Sequence, residues 1–566
     1  MWFPTRIHSH YSLLQSTLKP KRIVEICKDL GYKTAALTDF ASVSGAVKFV
    51  QECEKNDIKP ILGCEIPLKT SNNTTITLIC KNEKGWGKLL EIVSACNDAD
   101  NFKKHPAIPI DQLLELVDDN FICIDGYVGS ALFNELVEDN KGIYSCSEYD
   151  SAGKCLKREY KKDAVLHIAT FREKFGDDYY LEINKLDSET FAATKLVSNC
   201  IDEVAASIGF KNLIAGANIY YGEMADSKDH RILLCSKMRT TLNKVNKDLL
   251  KEDNYRHVRY FKSNSYYIPS KEEMQTYSKE QIKAVGEINE KCSSYTILAS
   301  PRLPQVETEN DSQIEELKQL CRVGWKNILM PTGKVKDPKN IEIYKDRIVQ
   351  ELDVIEDADL SGYFLIVADY VNEFRRRGVL VGPGRGSAAG CLISYLMGIT
   401  LIDPIQYGLI FSRFFNSARK GSLPDIDIDF PPDQRENVIT YLKEKYGHNR
   451  VCQMLTFGRL QGRSALKEVL RVNESCSFDQ MNDITNKIPQ EAAISDKLEE
   501  MDEPSVIRWA LENDPDTLRE YCWEEDGELQ GDFAREFAQA LRIEGTFKSQ
   551  GKHAAGVVVS SIDLNN

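Results

Sequence analysis

In SLPDIDIDFPP (Ser422–Pro432), Asp425, Asp427 and Asp429 alternate with Ile426, Ile428 and Phe430 before two prolines close the segment. A period of two predicts a short β-strand with three carboxylates on one face and an apolar face turned to a core. Carboxylates two residues apart on a strand lie about 7 Å apart at Cα. Side chains converging from there can share divalent ions spaced about 3.5–4 Å in a two-metal site. The plain alternative is the solvated face of an edge strand.

Upstream, RGVLVGPGRGSAAGCLISYLMG (Arg377–Gly398) reads as strand, glycine loop and helix. Backbone N–H groups around Gly382, Gly384 and Gly386, with the charge of Arg385, suit phosphate oxygens; a tight turn that merely needs glycine is the alternative. Gly384, Gly386 and Ala389 also fit a dinucleotide-binding spacing, but ITLIDPIQYG beyond the helix lacks the second strand ending in an acid. No Gly-Lys-Ser/Thr follows, which excludes a P-loop. Ser387 precedes Asp425 by 38 residues, so a phosphate cradle and a metal strand can face each other across one helix and one connection. That pairing resembles a nucleotidyltransferase, in which metals would hold the triphosphate and the attacking hydroxyl.

Around this centre the 566 residues are 42% hydrophobic, 28% charged and 9% aromatic, a globular composition. At roughly 150 residues per domain, about three or four units are expected. The start MWFPTRIHSH has no apolar signal-peptide core, and no apolar run approaches the roughly 20 residues of a membrane span. The 16 cysteines include no C-x-x-C, the closest pair being Cys146 and Cys155, so zinc ribbons and thioredoxin motifs are unsupported and a reducing cytoplasm is expected. A net charge of −14 argues against a uniformly basic nucleic-acid coat, yet leaves room for a local basic channel.

The first 70 residues alternate strand-like and helical stretches, and the rhythm continues through TLICKN (Thr77–Asn82), FICIDG (Phe121–Gly126), YYLEIN (Tyr179–Asn184) and NLIAGANIYY (Asn212–Tyr221). It predicts one large α/β domain with chemistry at the carboxyl ends of its strands, interrupted by a surface insertion over Cys146–Asp163. Proline-punctuated SPRLPQVETEND marks a linker. Polar helices follow from Arg459 to about Glu536, and the last quoted element is an apolar strand in KHAAGVVVSS.

These motifs, in order, resemble the family C polymerases, the bacterial replicative DNA polymerase III alpha subunits. The resemblance is carried by YKDRIVQELDVI (Tyr344–Ile355), SGYFLIVADYV, GVLVGPGRGSAAG, DPIQYGLIFSRFFN, LPDIDIDF, YGHNRVCQMLTFGRLQGRSALKEV (Tyr446–Val469) and GKHAAGVVVS. RIHSHYSLL, ALTDFASVSGAVKF and ILGCEI are similar to the family's polymerase and histidinol phosphatase (PHP) domain. It implies a PHP-type (β/α) barrel-like domain over 1–280, a linker over 281–310, a nucleotidyltransferase-type α+β palm over 311–457, a helical thumb over 458–540 and the start of a palm return strand over 541–566. It further implies catalytic metal ligands at Asp425 and Asp427, with Asp429 as runner-up, and two Mg²⁺ ions. Gly384, Arg385, Gly386, Ser387 and Arg413 would bind the incoming nucleotide. Arg463 and Lys467, one helical turn apart, would contact DNA phosphates, the alternative being a solvated helix face. Primed template DNA, deoxynucleoside triphosphates and a sliding clamp are the implied partners, with no membrane.

Two departures from the family stand out. Its PHP metal cluster is matched by His8, His10, Asp39, Glu65 and His230, but Phe40 stands where a histidine is expected, and Asn218 and Tyr220 where an Asp-x-His is. The segment is therefore read as a scaffold. The family's third catalytic aspartate and its fingers are expected after HAAGVV, which implies a second polypeptide, as in a split viral or phage enzyme, or a shortened chain. Two other readings are a PHP-type metal-dependent phosphoesterase and a catalytically dead fragment that binds DNA or a replication partner.

Overall fold

The computed structural model describes all residues except 1, 71–73, 104, 137–144, 150–154, 160–161, 187–191, 250–254, 300–305, 307, 309, 311, 416–423 and 565–566. Ser422 and Leu423, much of the proline-rich linker and part of the insertion lie outside the described residues. Two compact units emerge: residues 1–298 with 456–551, and 299–455 with 552–566.

In the first unit the strands are β1 (Arg6–Ile7), β2 (Thr34–Leu37), β3 (Lys59–Pro67), β4 (Thr75–Cys80), β5 (Phe121–Asp125), the hairpin β6 (Ser145–Tyr149) and β7 (Cys155–Glu159), then β8 (Tyr179–Ile183), β9 (Leu213–Ala215) and β10 (Asn218–Ile219). Eight of them form one sheet in the order β10-β1-β2-β3-β4-β5-β8-β9. Laid flat, eight strands would span about 34 Å. The two end strands β9 and β10 are joined by Gly216 and Ala217 alone, a connection that reaches roughly 10 Å. The sheet must therefore curl until its edges are neighbours, which is the barrel-like form expected. The βα rhythm predicts parallel pairing, and most pairs are parallel, but β4 runs antiparallel to both β3 and β5. Where the insertion over Cys146–Asp163 is expected, the described residues include the separate hairpin β6–β7.

The strands are buried on both faces, as β2 and β5 are at every residue, because helices cover the sheet. The helix Pro20–Asp29 shows how: proline opens its first turn and Ile23, Val24, Ile26 and Cys27 face the core. The helix Lys279–Lys291, partly assigned to a linker from its sequence, carries a Ser278/Gln281 capping box and buries Val285 and Ile288 in the same core. The expected helical segment is present as helices including Arg463–Asn473, Phe478–Lys487, Val506–Asn513 and Ala534–Ile543. They share a core with Ile232, Leu233 and Cys235 of the helix Ser227–Met238.

In the second unit, the helices Gln313–Gly324, Pro338–Asp357, Ser361–Arg376 and Arg435–Tyr446 enclose a core that includes Phe364, Phe374, Leu392 and Ile399. Two strands, β11 (Val451–Arg459) and β14 (Phe547–Val559), pair with each other; residues 456–459 and 547–551 of them belong to the first unit, as does the small hairpin β12 (Trp523–Glu525) and β13 (Glu528–Gln530) that lies between them in sequence. β14 contains the predicted apolar strand, but β11 was not signalled, because VCQMLTFGR is exposed at most positions and lacks a clean alternation.

Candidate functional site

Among the described residues 424–430 the carboxylate segment carries no regular secondary structure and forms no ladder, so the predicted β-strand is corrected to an unpaired stretch. Its backbone groups are used elsewhere. Pro424, Pro431 and Pro432 have no N–H, and the Ile426 N–H donates to the Tyr363 hydroxyl at 3.1 Å. The alternation still sorts the faces. Ile426 is buried with Ile428 and Phe430 packed on the same core, while Asp425 and Asp429 are exposed and Asp427 half-buried.

The glycine loop differs from expectation in the same way. No strand precedes it, and a 3₁₀ turn, Gly386–Gly390, followed by the short helix Leu392–Leu396, replaces the single helix predicted. Cys391 is extended between them and caps the helix, which is why the two do not merge.

Loop and carboxylates meet directly. The Gly382 N–H donates to the Asp429 carbonyl at 2.9 Å, and a Cβ on Gly382 would lie 3.0 Å from Asp429 Cβ. At Gly384, with φ +99°, a Cβ would come 2.7 Å from Thr400 Cγ2, so only glycine fits. A Cβ on Gly386 would stand 3.7 Å from Asp427 Oδ2. Arg385 reaches across, its Nη2 3.7 Å from Asp427 Oδ1 and its Nε 3.7 Å from Asp429 Oδ1. The Arg385 side chain is 62% exposed; such long surface pairs are worth little, and the guanidinium can exchange a carboxylate for another anion. Ser387 is exposed on the turn. Arg413 ends the 3₁₀ turn Phe411–Arg413, exposed and without an ion pair to any described residue. That turn borders the loop, since a Cβ on Gly390 would lie 3.0 Å from the Ile410 carbonyl.

The donor set suits a hard cation. No described residue hydrogen-bonds to the Asp425, Asp427 or Asp429 carboxylates, and Arg385 supplies a displaceable counter-charge. The carboxylates do not close into a ready-made three-ligand cluster among the described residues.

Three supporting residues went unnoticed in the sequence. Tyr363 holds the carboxylate segment, and burial, reinforced by the Asp425 and Asp427 charges, pushes its phenol up to about 12. Glu351, fully buried, accepts the Leu392 and Ile393 N–H groups at 3.0 and 2.9 Å. Arg347 donates to Glu351 at 2.6 Å and to the Gly390 carbonyl at 2.8 Å, fastening the loop's far end. Arg347 and Glu351 left a signal in YKDRIVQELDVI as an i, i+4 Arg/Glu pair, whereas Tyr363 left none.

In the first unit, the PHP residues gather near the carboxyl ends of β1, β2 and β3 but are committed to the fold. His8 lies 2.6 Å from Glu65 Oε2 through Nε2 and 3.2 Å from the Ile219 carbonyl through Nδ1, so both ring nitrogens are engaged. Asp39 accepts from Ser9 N at 2.6 Å and from the Ser9 and Ser12 hydroxyls at 2.7 Å. Lys237 Nζ stands 5.6 Å from the centroid of Phe40, a cation beside the residue that replaces a histidine. Tyr220 stacks on His8 at 4.4 Å and on His230 at 5.4 Å. His10 and His230 each keep an unpartnered buried Nδ1, yet no three His, Cys, Asp or Glu among the described residues converge on a metal position. These residues do not fit the family's metal cluster.

Their titration has a consequence for stability. Burial, then Lys19 and Arg459, pushes His10 down to about 3, and burial likewise takes His230 to about 3. Burial alone would raise Glu65, but His8 and Arg6 bring it down to about 2. The unfolded chain takes up the histidine protons near pH 6.5 and the folded chain only near 3. The histidine contribution is therefore complete above the unfolded value and is lost as pH falls; Glu65 adds a loss below its ordinary 4.5. The melting temperature is expected to drop between about pH 7 and pH 5, and a flat or rising profile over that window would contradict it.

Arg463 and Lys467 are also engaged within the fold. Arg463 donates to the Ile488 carbonyl at 2.5 Å and the Asn486 carbonyl at 3.3 Å, and Lys467 to Asn482 Oδ1 at 2.9 Å. Both tie their helix to Phe478–Lys487.

Residues 4–186 match the PHP domain family, and residues 315–566 match the family described as the bacterial DNA polymerase III alpha NTPase domain. Over nearly its whole length the chain is similar to bacterial DNA polymerase III alpha subunits. DNA polymerase III subunit alpha of Rickettsia conorii is 30% identical over 578 residues, covering 99% of this chain and 44% of the relative. The Aquifex aeolicus subunit is 29% identical over 593 residues, covering 99% and 48%, and that of Campylobacter jejuni 30% over 591, covering 99% and 45%. The chain thus spans about half the length of the curated relatives it matches. The family match over 315–566 contains both the glycine loop and the carboxylate segment. No helix among the described residues is long and apolar enough to cross a membrane.

Proposed function

We propose that this chain supplies the nucleotidyl-transfer site of a DNA-directed DNA polymerase, adding deoxynucleotides to a primer 3′ end. The observation that carries the reading is the face-to-face contact of glycine loop and carboxylates, with Arg385 3.7 Å from both Asp427 and Asp429. Asp425 and Asp427, with Asp429 beside them, would hold two Mg²⁺ ions. When bound, such ions lower the pKa of the attacking hydroxyl and neutralise the triphosphate charge. The chain's own residues then bind and orient. The loop N–H groups, Ser387 and Arg413 hold phosphate oxygens, and Arg385 turns from the carboxylates to the triphosphate. The site's open surface leaves room for primed template DNA. The third aspartate and the fingers expected of the family would come from the part of the relatives that this chain does not span, in the same polypeptide or in a second one, and a sliding clamp would be a further partner.

Arg385→Ala and Ser387→Ala are expected to weaken use of the incoming nucleotide by about tenfold each while leaving affinity for primed DNA nearly unchanged, because a lost charge-assisted hydrogen bond costs roughly 1.5–3 kcal/mol. Steady-state incorporation and DNA-binding titrations check this. A fall in DNA affinity with unchanged apparent nucleotide affinity would reassign the loop as a DNA contact.

A further inference from the structure

One side chain ties together the parts of the proposed site that sequence spacing alone leaves separate. Arg375, in the last turn of the helix Ser361–Arg376, donates through Nη2 to the carbonyls of Gly382 at 3.1 Å and Ile399 at 3.2 Å, and through Nη1 to the carbonyl of Gly398. Gly382 opens the glycine loop, and Gly398 and Ile399 follow the short helix that closes it. The opposite side of the Gly382 residue, its N–H, holds the Asp429 carbonyl at 2.9 Å. A guanidinium, a loop and a carboxylate segment are thereby linked in one chain of hydrogen bonds.

Arg375 also differs from its counterpart at the loop's far end. Arg347 is balanced by Glu351 at 2.6 Å. Arg375 has no ion pair with any described carboxylate, its buried Nε has no partner, and burial lowers its pKa. Its charge is offset only by carbonyl dipoles, including those at the helix C-terminus. A side chain needed only for packing would not keep an uncompensated charge behind an anion-binding loop.

We propose that Arg375 is a positioning residue for this site: by holding Gly382, Gly398 and Ile399 with one fork, it sets the register between the glycine loop and the carboxylates. The proposal rests on the nucleotidyl-transfer reading of the loop. A guanidinium suits this role because its rigid fork places donors on two separated nitrogens, whereas the three donors of an ammonium all radiate from one atom.

The test is calorimetric titration of the chain with Mg²⁺·dATP. Arg375→Ala is expected to bind about tenfold more weakly than wild type, and millimolar methylguanidinium is expected to restore most of the loss by refilling the fork. Arg375→Lys should lie between the two. Arg376→Gln, which alters an exposed arginine paired only with Glu373, should bind as wild type does. Rescue by methylguanidinium distinguishes positioning from plain destabilisation, which a guanidinium salt worsens. Wild-type affinity in Arg375→Ala, or a loss that methylguanidinium leaves unchanged while circular dichroism shows a folded variant, would overturn the proposal. If the wild type itself fails to bind Mg²⁺·dATP, the nucleotide reading falls and the proposal with it; failure confined to the Arg375 variants leaves that reading standing.

Discussion

Asp427→Asn, and separately Asp425→Asn, are expected to lower nucleotide incorporation by the complete enzyme by roughly a thousandfold, the rate equivalent of about 4 kcal/mol of lost transition-state stabilisation. An amide keeps the shape of the side chain but not the charge that holds a hard cation. The fold should be unaffected, because Asp425 is exposed, Asp427 half-buried, and neither carboxylate accepts a hydrogen bond from a described residue. Asp429→Asn should have the smaller effect, since the Asp429 group that fixes the loop is its backbone carbonyl. Single-turnover primer extension checks the series, and wild-type rates in both of the first two variants would remove the assignment.

The second large effect concerns stability. Arg6 is wholly buried, donates to Glu182 at 3.0 and 3.1 Å, lies 3.6 Å from Glu65 and stacks 3.4 Å over the Tyr127 ring. The environment is built for this pair: a Cβ on Gly216 would lie 1.9 Å from Glu182 Cγ. Arg6→Leu would leave Glu182 buried and unpaired, at a cost of about 3–5 kcal/mol. The melting temperature of the first unit is expected to fall by many degrees, whereas Arg6→Leu/Glu182→Leu should recover most of the loss, because a well-packed apolar pair can replace a buried ion pair. A single variant as stable as wild type would show that the pair contributes little.

The α/β rhythm of the first 280 residues was legible because buried strands announce themselves by apolar runs. The strand ends TAALTD, PILGCEI and FICIDG fall where β2, β3 and β5 end. The antiparallel course of β4 was not legible, since TITLIC is as fully buried as the strands that pair in parallel elsewhere in the sheet, and direction leaves no mark on composition. In the second unit, alternation placed the three aspartates on the solvent side of PDIDIDF correctly, but periodicity reports which face is buried and not whether a neighbour pairs. Pro424, Pro431 and the Tyr363 hydroxyl decide that here. The glycine loop was legible from its residues, whereas its fastenings were not. Arg347, Glu351 and Arg375 fasten the loop through contacts 7 to 62 residues away in sequence, and apart from the i, i+4 Arg347/Glu351 pair no local pattern reports them. Arg463 and Lys467 show the converse: an i, i+4 basic pair suggests an anion, and the carbonyls that accept from Arg463 appear only once the helices pack.

The central claim is that the glycine loop and the Asp425–Asp429 segment form one site for a metal-bound triphosphate. Its most direct test is electron paramagnetic resonance of Mn²⁺ titrated into the chain with and without dATP. The account predicts bound Mn²⁺ whose affinity rises when dATP is present, with the nucleotide-dependent gain lost in Arg385→Ala and all binding lost in Asp425→Asn/Asp427→Asn. Mn²⁺ binding that ignores dATP, or that survives the double aspartate substitution, would contradict it.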